Sequence, residues 1–217
     1  MKNRDYKNFS IGEIYHVYNR GVNKEKIFLT QKDYNVFLQR LKENLFPHLV
    51  DNKKLLWSKR RRKILPPNSF DLIAYCLMPN HFHLLIQQKT ELSITKLLSK
   101  ICTSYSMCFN RVNKRVGTIF QDRFKAILIE NNEQLLWTSY YIHKNPIEAK
   151  LVKDLNDYRW SSYKEYFNSD KNLFDKLCNK KIILEQFNSE EKYLKYFQDK
   201  EELIASFKDL YFDFEEE

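Results

Sequence analysis

The apolar positions of the chain change period along its length, and those changes mark out its elements. Ile14-Tyr-His-Val-Tyr18 is a β-branched and aromatic run that reads as a strand, closed by Asn19-Arg20-Gly21. Thr30 is placed to cap a helix reaching about Asn44, because Tyr34, Phe37, Leu38 and Leu41 fall at helical spacing. Residues 45–69 break that rhythm. They carry Lys59-Arg-Arg-Arg-Lys63 and Pro66-Pro67, and read as an inserted basic loop. Phe70 to Met78 and Phe82 to Gln88 are apolar strands joined at Pro79-Asn80. A long helix follows, from about Leu92 to Lys114, with Ile94, Leu98, Ile101, Tyr105, Cys108 and Val112 along one stripe. Arg123 to Ile129 is a fourth strand. Asn131 or Asn132 caps a further helix, expected to end at Asn145-Pro146 because the residue before a proline avoids helical geometry. The remainder reads as mostly helical, with Trp160-Ser-Ser-Tyr163 as a turn. The order strand, helix, strand, strand, helix, strand predicts an α+β fold, one antiparallel sheet of the ferredoxin-like βαββαβ type covered by helices. Residues 1–167 are expected to form that domain, and residues 168–217 an acidic, helical extension.

Composition narrows the class. A chain of 217 residues with 43% hydrophobic and 15% aromatic side chains can bury a core, which excludes a disordered protein. Its net charge of +9 is unevenly spread: residues 185–217 hold 11 acidic and 4 basic side chains, leaving 33 basic and 17 acidic in residues 1–184. A body that basic suits a polyanionic partner, most simply nucleic acid. Arg20, Lys24, Arg111, Lys114, Arg115, Arg123 and Lys125 are candidates for phosphate contacts, and Lys59, Arg60, Arg61, Arg62 and Lys63 for a groove or hairpin stem. Tyr18 and Trp57 are candidates for stacking on bases. Cys76, Cys102, Cys108 and Cys178 form no Cys-x-x-Cys pair and no disulfide-like spacing, so a reducing, intracellular setting is expected. The polar start Met1-Lys-Asn-Arg-Asp-Tyr lacks a signal core, and no apolar run approaches the roughly 18 residues of a membrane span. A soluble protein is expected.

The candidate chemistry lies in two places. In Leu77-Met-Pro-Asn-His-Phe-His-Leu-Leu-Ile86, His81 and His83 share one face of a strand, roughly 7 Å apart at the backbone. That is a workable bite for a divalent cation once further donors converge on it. In the helix before Pro146, Gln134, Thr138, Tyr141 and Asn145 fall within an arc of about 60°. A phenol and an amide four residues apart can supply a nucleophile and a hard metal ligand. They can equally be a solvent-facing tyrosine and an asparagine that ends the helix. Tyr105 is the second candidate nucleophile: the return path of its helix brings it level with His83, although its apolar stripe suits core packing. His16 reads as a structural histidine rather than a ligand, and His143 lies on another face of its helix from Tyr141.

Four ordered motifs resemble one family. Tyr15-His-Val-Tyr-Asn-Arg-Gly21, Leu77-Met-Pro-Asn-His-Phe-His-Leu-Leu85, Tyr141-Ile-His-Lys-Asn-Pro146 and Trp160-Ser-Ser-Tyr163 together look like the single-tyrosine HUH transposases, and among them like the REP-associated tyrosine transposases of bacteria. The resemblance covers about residues 12–167. It implies a ferredoxin-like nuclease domain acting on single-stranded DNA with hairpin or palindromic structure, in a bacterial cytoplasm, as a monomer or homodimer. It implies Tyr141 as nucleophile, His81, His83 and Asn145 as ligands of Mg²⁺ or Mn²⁺, and a 5′-phosphotyrosine intermediate through which strands are cut and rejoined. A catalytically silent DNA- or RNA-binding protein on the same fold is the alternative. The chain departs from the family at Asp122 and Lys150, where glycine is usual, in the longer basic stretch 45–69, and in residues 168–217, which match nothing in it.

Overall fold

The computed structural model describes residues 8–49, 65–167, 176–187 and 190–199. The chain divides into two compact units, Met1–Asn179 and Lys180–Glu217. The first is built on a four-stranded antiparallel sheet of β1 (Ile14–Arg20), β2 (Phe70–Met78), β3 (His81–Gln88) and β4 (Lys125–Leu128), in the order β2-β3-β1-β4. Helix α1 (Gln31–Leu45) joins β1 to β2, α2 (Ile94–Asn113) joins β3 to β4, and α3 (Asn132–Glu148) follows β4. This is the ferredoxin-like arrangement that the order of elements predicts.

Alternation along β3 divides the molecule into two layers. Phe82 turns to one face, where its ring lies 5.0 Å from Phe37 of α1, and Tyr105 of α2 packs 5.3 Å from the same Phe37. His83 turns to the other, toward α3. Side-chain hydrogen bonds to backbone amides mark where these three helices begin. Asp33 accepts from the Leu29 and Thr30 amides, the Ser93 hydroxyl from Thr95, and Asn131 from Gln134.

The exposed edge of β2 is closed by later chain. Leu77 N–H donates to the Trp160 carbonyl, Ser162 N–H to Tyr75 and Asn179 N–H to Leu72, at 2.7–2.9 Å. Tyr158 and Tyr166 donate their hydroxyls to the Leu77 and Ile73 carbonyls. Trp160 stacks on Tyr34 of α1 at 4.5 Å and 12°. The Trp160–Tyr163 turn is therefore a clip on the sheet, continued by the short α4 (Tyr163–Phe167). Asn179 pairs with β2, and the first compact unit runs to that residue.

Gly21 is the one glycine demanded by space. A Cβ there would sit 2.1 Å from the Glu25 carbonyl oxygen. Its N–H donates to Asn80 at 2.8 Å, and it bridges to Phe120, so the end of β1 is tied to the β2–β3 turn and to the 119–121 loop.

Three expectations need correction. The fourth strand is shorter than Arg123 to Ile129, because Asn19 Nδ2 donates to the Asp122 carbonyl and Arg123 N–H to the Asp122 carboxylate, which bends the chain before Lys125. Helix α3 does not stop at Asn145-Pro146 but runs through Pro146 to Glu148. Proline sacrifices one bond to Ile142, while Leu151 N–H caps the Pro146 carbonyl and Lys150 N–H caps Ile147, a Schellman closure that holds the last turn. Residues 149–162 are not helical beyond the 3₁₀ turn Leu155–Asp157. The second unit contains α5 (Lys181–Leu184) and α6 (Glu190–Asp199), with the Phe187 ring 5.1 Å from Tyr193 and 5.2 Å from Tyr196. Among the described residues no helix is long and apolar enough to cross a membrane.

Candidate active site

The face of the sheet under α3 is lined by rings from the two central strands. His16 and Tyr18 of β1 alternate onto it, and so do His81 and His83 of β3, whose register sets His83 opposite Tyr18. The His81 and His83 rings meet edge to face at 4.8 Å, and His16 stacks on His83 at 5.1 Å. Helix α3 lowers Tyr141 onto this group, 5.5 Å from the His83 ring and 6.1 Å from His16. Trp137, one turn earlier, lies flat against Tyr141 at 5.4 Å and 8° and so sets the plane of the phenol. The polar stripe of α3 thus faces the sheet and not solvent: Gln134, Thr138 and Asn145 are buried, while Tyr141 keeps partial access.

Hydrogen bonds fix which atoms these groups offer. Asn80 Nδ2 donates to the Lys24 carbonyl, so its Oδ1 faces His81 Nδ1 at 2.7 Å. An amide oxygen only accepts, hence His81 carries its proton on Nδ1 and presents Nε2 as a lone pair. Asn145 Nδ2 donates to the Tyr141 carbonyl at 2.9 Å, and the same amide reaches the His81 ring. His83 Nδ1 lies 2.9 Å from His16 Nε2, and its other nitrogen, Nε2, is buried with no hydrogen-bond partner among the described residues. His81, His83 and the Asn145 amide thus come together beneath α3.

Burial keeps the imidazoles neutral. His83 is held well below its ordinary value by burial and by the neighbouring His81 and His16 rings. His81, which keeps an edge to solvent, is pushed down to about 4 by burial and secondarily by the Arg20 charge, against the Asn145 bond. His16 is lowered to about 3 by burial alone. Near neutral pH all three retain free lone pairs, the state a metal requires. No group of three or more His, Cys, Asp or Glu side chains able to hold an ion occurs among the described residues; beside the imidazole pair the nearby polar side chain is the Asn145 amide. The orphaned Nε2 of His83, with His81 and the Asn145 amide beside it, fits a divalent cation.

The remaining candidates are placed as follows. Tyr105 is not brought to the histidines; it is buried on the opposite layer, donates its hydroxyl to the Ile27 carbonyl, and is pushed upward in pKa by burial. His143 is buried with Nε2 2.7 Å from the Ser162 hydroxyl, which ties α3 to the clip on β2. Tyr18 is buried against His16 and His83, which removes it as a platform for bases. Arg20 stands beside His81 in register and donates Nε to Gln121 at 2.7 Å. Lys24 follows β1, Lys125 opens β4, Arg123 precedes it, and Arg111, Lys114 and Arg115 close α2. Arg115 pairs with Glu25 at 3.3 Å, which brings that helix end to the loop after β1. These cations therefore gather at the end of the sheet where His81 begins its strand. Lys59, Arg60, Arg61, Arg62, Lys63 and Trp57 lie outside the described residues. Sequence reading passed over Asn80, Trp137 and the link from His16 to His83. His16 reads from the sequence as structural, and only the pairing of β1 with β3 reveals its partner.

Residues 15–145 match the sequence model of the IS200-like transposases. The chain belongs to that family. The match encloses His16, His81, His83, Tyr141 and Asn145. A Haemophilus influenzae protein named as a REP-associated tyrosine transposase is 31% identical over 108 residues, covering 43% of this chain and 59% of that relative. The chain thus aligns with about three-fifths of that transposase's length. A solved REP-associated tyrosine transposase bound to a REP hairpin shares the fold, with a TM-score of 0.53 and 16% identity over 79% of this chain and 89% of its own.

Proposed function

We propose that this chain cuts and rejoins single-stranded DNA through Tyr141. The observation that carries the reading is the convergence of Tyr141 on His83 at 5.5 Å, with Asn145 in reach of His81. The Tyr141 phenol gives up its proton as its oxygen attacks a backbone phosphorus, and the new O–P bond forms as the bond to the 3′ oxygen breaks. The products are a 5′-phosphotyrosine and a free 3′-OH, which takes up a proton. Because the phosphodiester is exchanged rather than hydrolysed, an incoming 3′-OH reverses the step and seals a strand. A divalent cation held by His81, His83 and Asn145 supplies, when bound, charge neutralisation at the phosphate and the leaving oxygen. Two imidazoles are softer than Mg²⁺ prefers, which makes Mn²⁺ the better probe. Trp137 fixes the plane of the phenol, and Arg20, anchored on Gln121, offers a cation beside His81 for the same phosphate.

The solved relative bound to a hairpin and the basic end of this sheet together point to a hairpin-bearing single strand as substrate. Incubation with Mn²⁺ and a labelled strand of that kind is expected to give an adduct that survives denaturation and is absent from Tyr141→Phe. An adduct formed equally by Tyr141→Phe overturns the reading. Binding of the strand is expected to weaken steeply as salt rises, through release of counterions from the phosphates.

A further inference from the structure

The structure assigns His16 a task beyond packing: it is a positioning residue that holds His83 in the tautomer able to take a cation. The inference rests on the reading of His81, His83 and Asn145 as ligands. One proton lies between His83 Nδ1 and His16 Nε2, 2.9 Å apart and buried. If His16 donates it, His83 must carry its own proton on Nε2, the atom left without a partner, and its lone pair is spent on His16. If His83 donates it, Nε2 is bare and open to a cation, and His16 accepts. Only the second arrangement serves a ligand.

His81 shows the same construction from a different residue. Its Nδ1 donates to Asn80 Oδ1, and Asn80 is itself fixed by the Lys24 carbonyl. Each imidazole thus has an acceptor behind it, a half-buried amide for one and a buried ring for the other. Ligating histidines commonly donate their second N–H in this way, and the acceptor fixes both tautomer and ring orientation. His16 is well placed for it. It sits on the adjoining central strand, stacks on His83 at 23°, and is wedged between Tyr18 and Tyr141 so that its ring cannot swing away.

The test compares His16→Leu, which removes the acceptor, with His16→Gln, whose side-chain oxygen can take its place. Mn²⁺ affinity is measured by electron paramagnetic resonance and the fold is checked by thermal melting without metal. His16→Leu is expected to bind Mn²⁺ about 10- to 100-fold more weakly, and His16→Gln to recover most of that loss. In ¹⁵N-histidine-labelled wild type with Mg²⁺, His83 is expected to carry its proton on Nδ1; this readout holds even where His16→Leu does not fold. Undiminished Mn²⁺ binding by a folded His16→Leu, equal losses in both variants, or a proton on His83 Nε2 with the cation bound would each overturn the inference. Should wild type bind no Mn²⁺, or bind it unchanged after His81→Ala, the reading of the site falls and this inference with it. Binding that needs His81 but not His16 removes this inference alone.

Discussion

Asn145 gives an amide N–H to the Tyr141 carbonyl and reaches the His81 ring with the same amide. The proposed nucleophile and the proposed ligand thus share one turn of one helix, yet their losses should differ in kind. Asn145→Ala removes a cation donor and is expected to weaken Mn²⁺ binding at least about tenfold, with adduct formation recovering as Mn²⁺ is raised. Tyr141→Phe is expected to form no adduct at any Mn²⁺ concentration. Titrating Mn²⁺ against adduct yield separates the two, and an Asn145→Ala variant that excess Mn²⁺ cannot rescue would argue against a ligand role. Tyr105 provides a contrast. Its hydroxyl donates to Ile27 inside an aromatic cluster with Phe28 and Phe37, so Tyr105→Phe is expected to keep adduct formation and lose about 1–3 kcal/mol of stability from the orphaned carbonyl. Loss of the adduct in a well-folded Tyr105→Phe would return that residue to the chemistry.

At the scale of the elements, short-range pattern carried a long way and then failed for local reasons. Period-two alternation in β3 and helical spacing in α3 stated which side chains share a face, and those faces meet. What a single element cannot state is register, and the partnership of His16 with His83 exists only because β1 pairs with β3 as it does. Pro146 misled in the other direction. The rule that helices stop before proline treats the lost hydrogen bond as decisive, whereas here the Schellman closure at Lys150 and Leu151 restores the end of α3. That closure requires the left-handed backbone at Lys150, where φ is +55°, a position the resembling family fills with glycine. A side chain there costs about 1–2 kcal/mol, partly offset because glycine gives the unfolded chain more freedom. Lys150→Gly is therefore expected to raise stability by up to about 1 kcal/mol with adduct formation unchanged. A clear drop in the urea midpoint would show that the lysine side chain makes a contact worth more than the strain.

For the molecule as a whole, the layer that makes the site also carries a standing cost in acid. His16, His81, His83 and His143 all lie between the sheet and α3 or within α3, and burial holds each below the ordinary 6.5, to about 3, about 4, well below, and about 3 respectively. Unfolded, each takes up a proton as pH falls through about 6.5; folded, each refuses it until far lower. A lowered histidine pKa therefore costs nothing above about pH 7.5 and destabilises progressively below about 6.5, because the unfolded state then binds more protons. Each group adds a slope approaching about 1.4 kcal/mol per pH unit, so four together outweigh any single surface ion pair of about 0–1 kcal/mol. The unfolding free energy is expected to fall steeply from pH 7 to pH 5, a window chosen to lie above most carboxylate titration. His143→Gln can keep a bond to the Ser162 hydroxyl without titrating, so it should flatten that slope by about one proton's worth while leaving the site's own histidines untouched. Urea unfolding of wild type and His143→Gln across the window measures both effects. A stability that stays level or rises toward pH 5 would mean that water reaches these imidazoles and that the closed layer beneath α3 is open in solution.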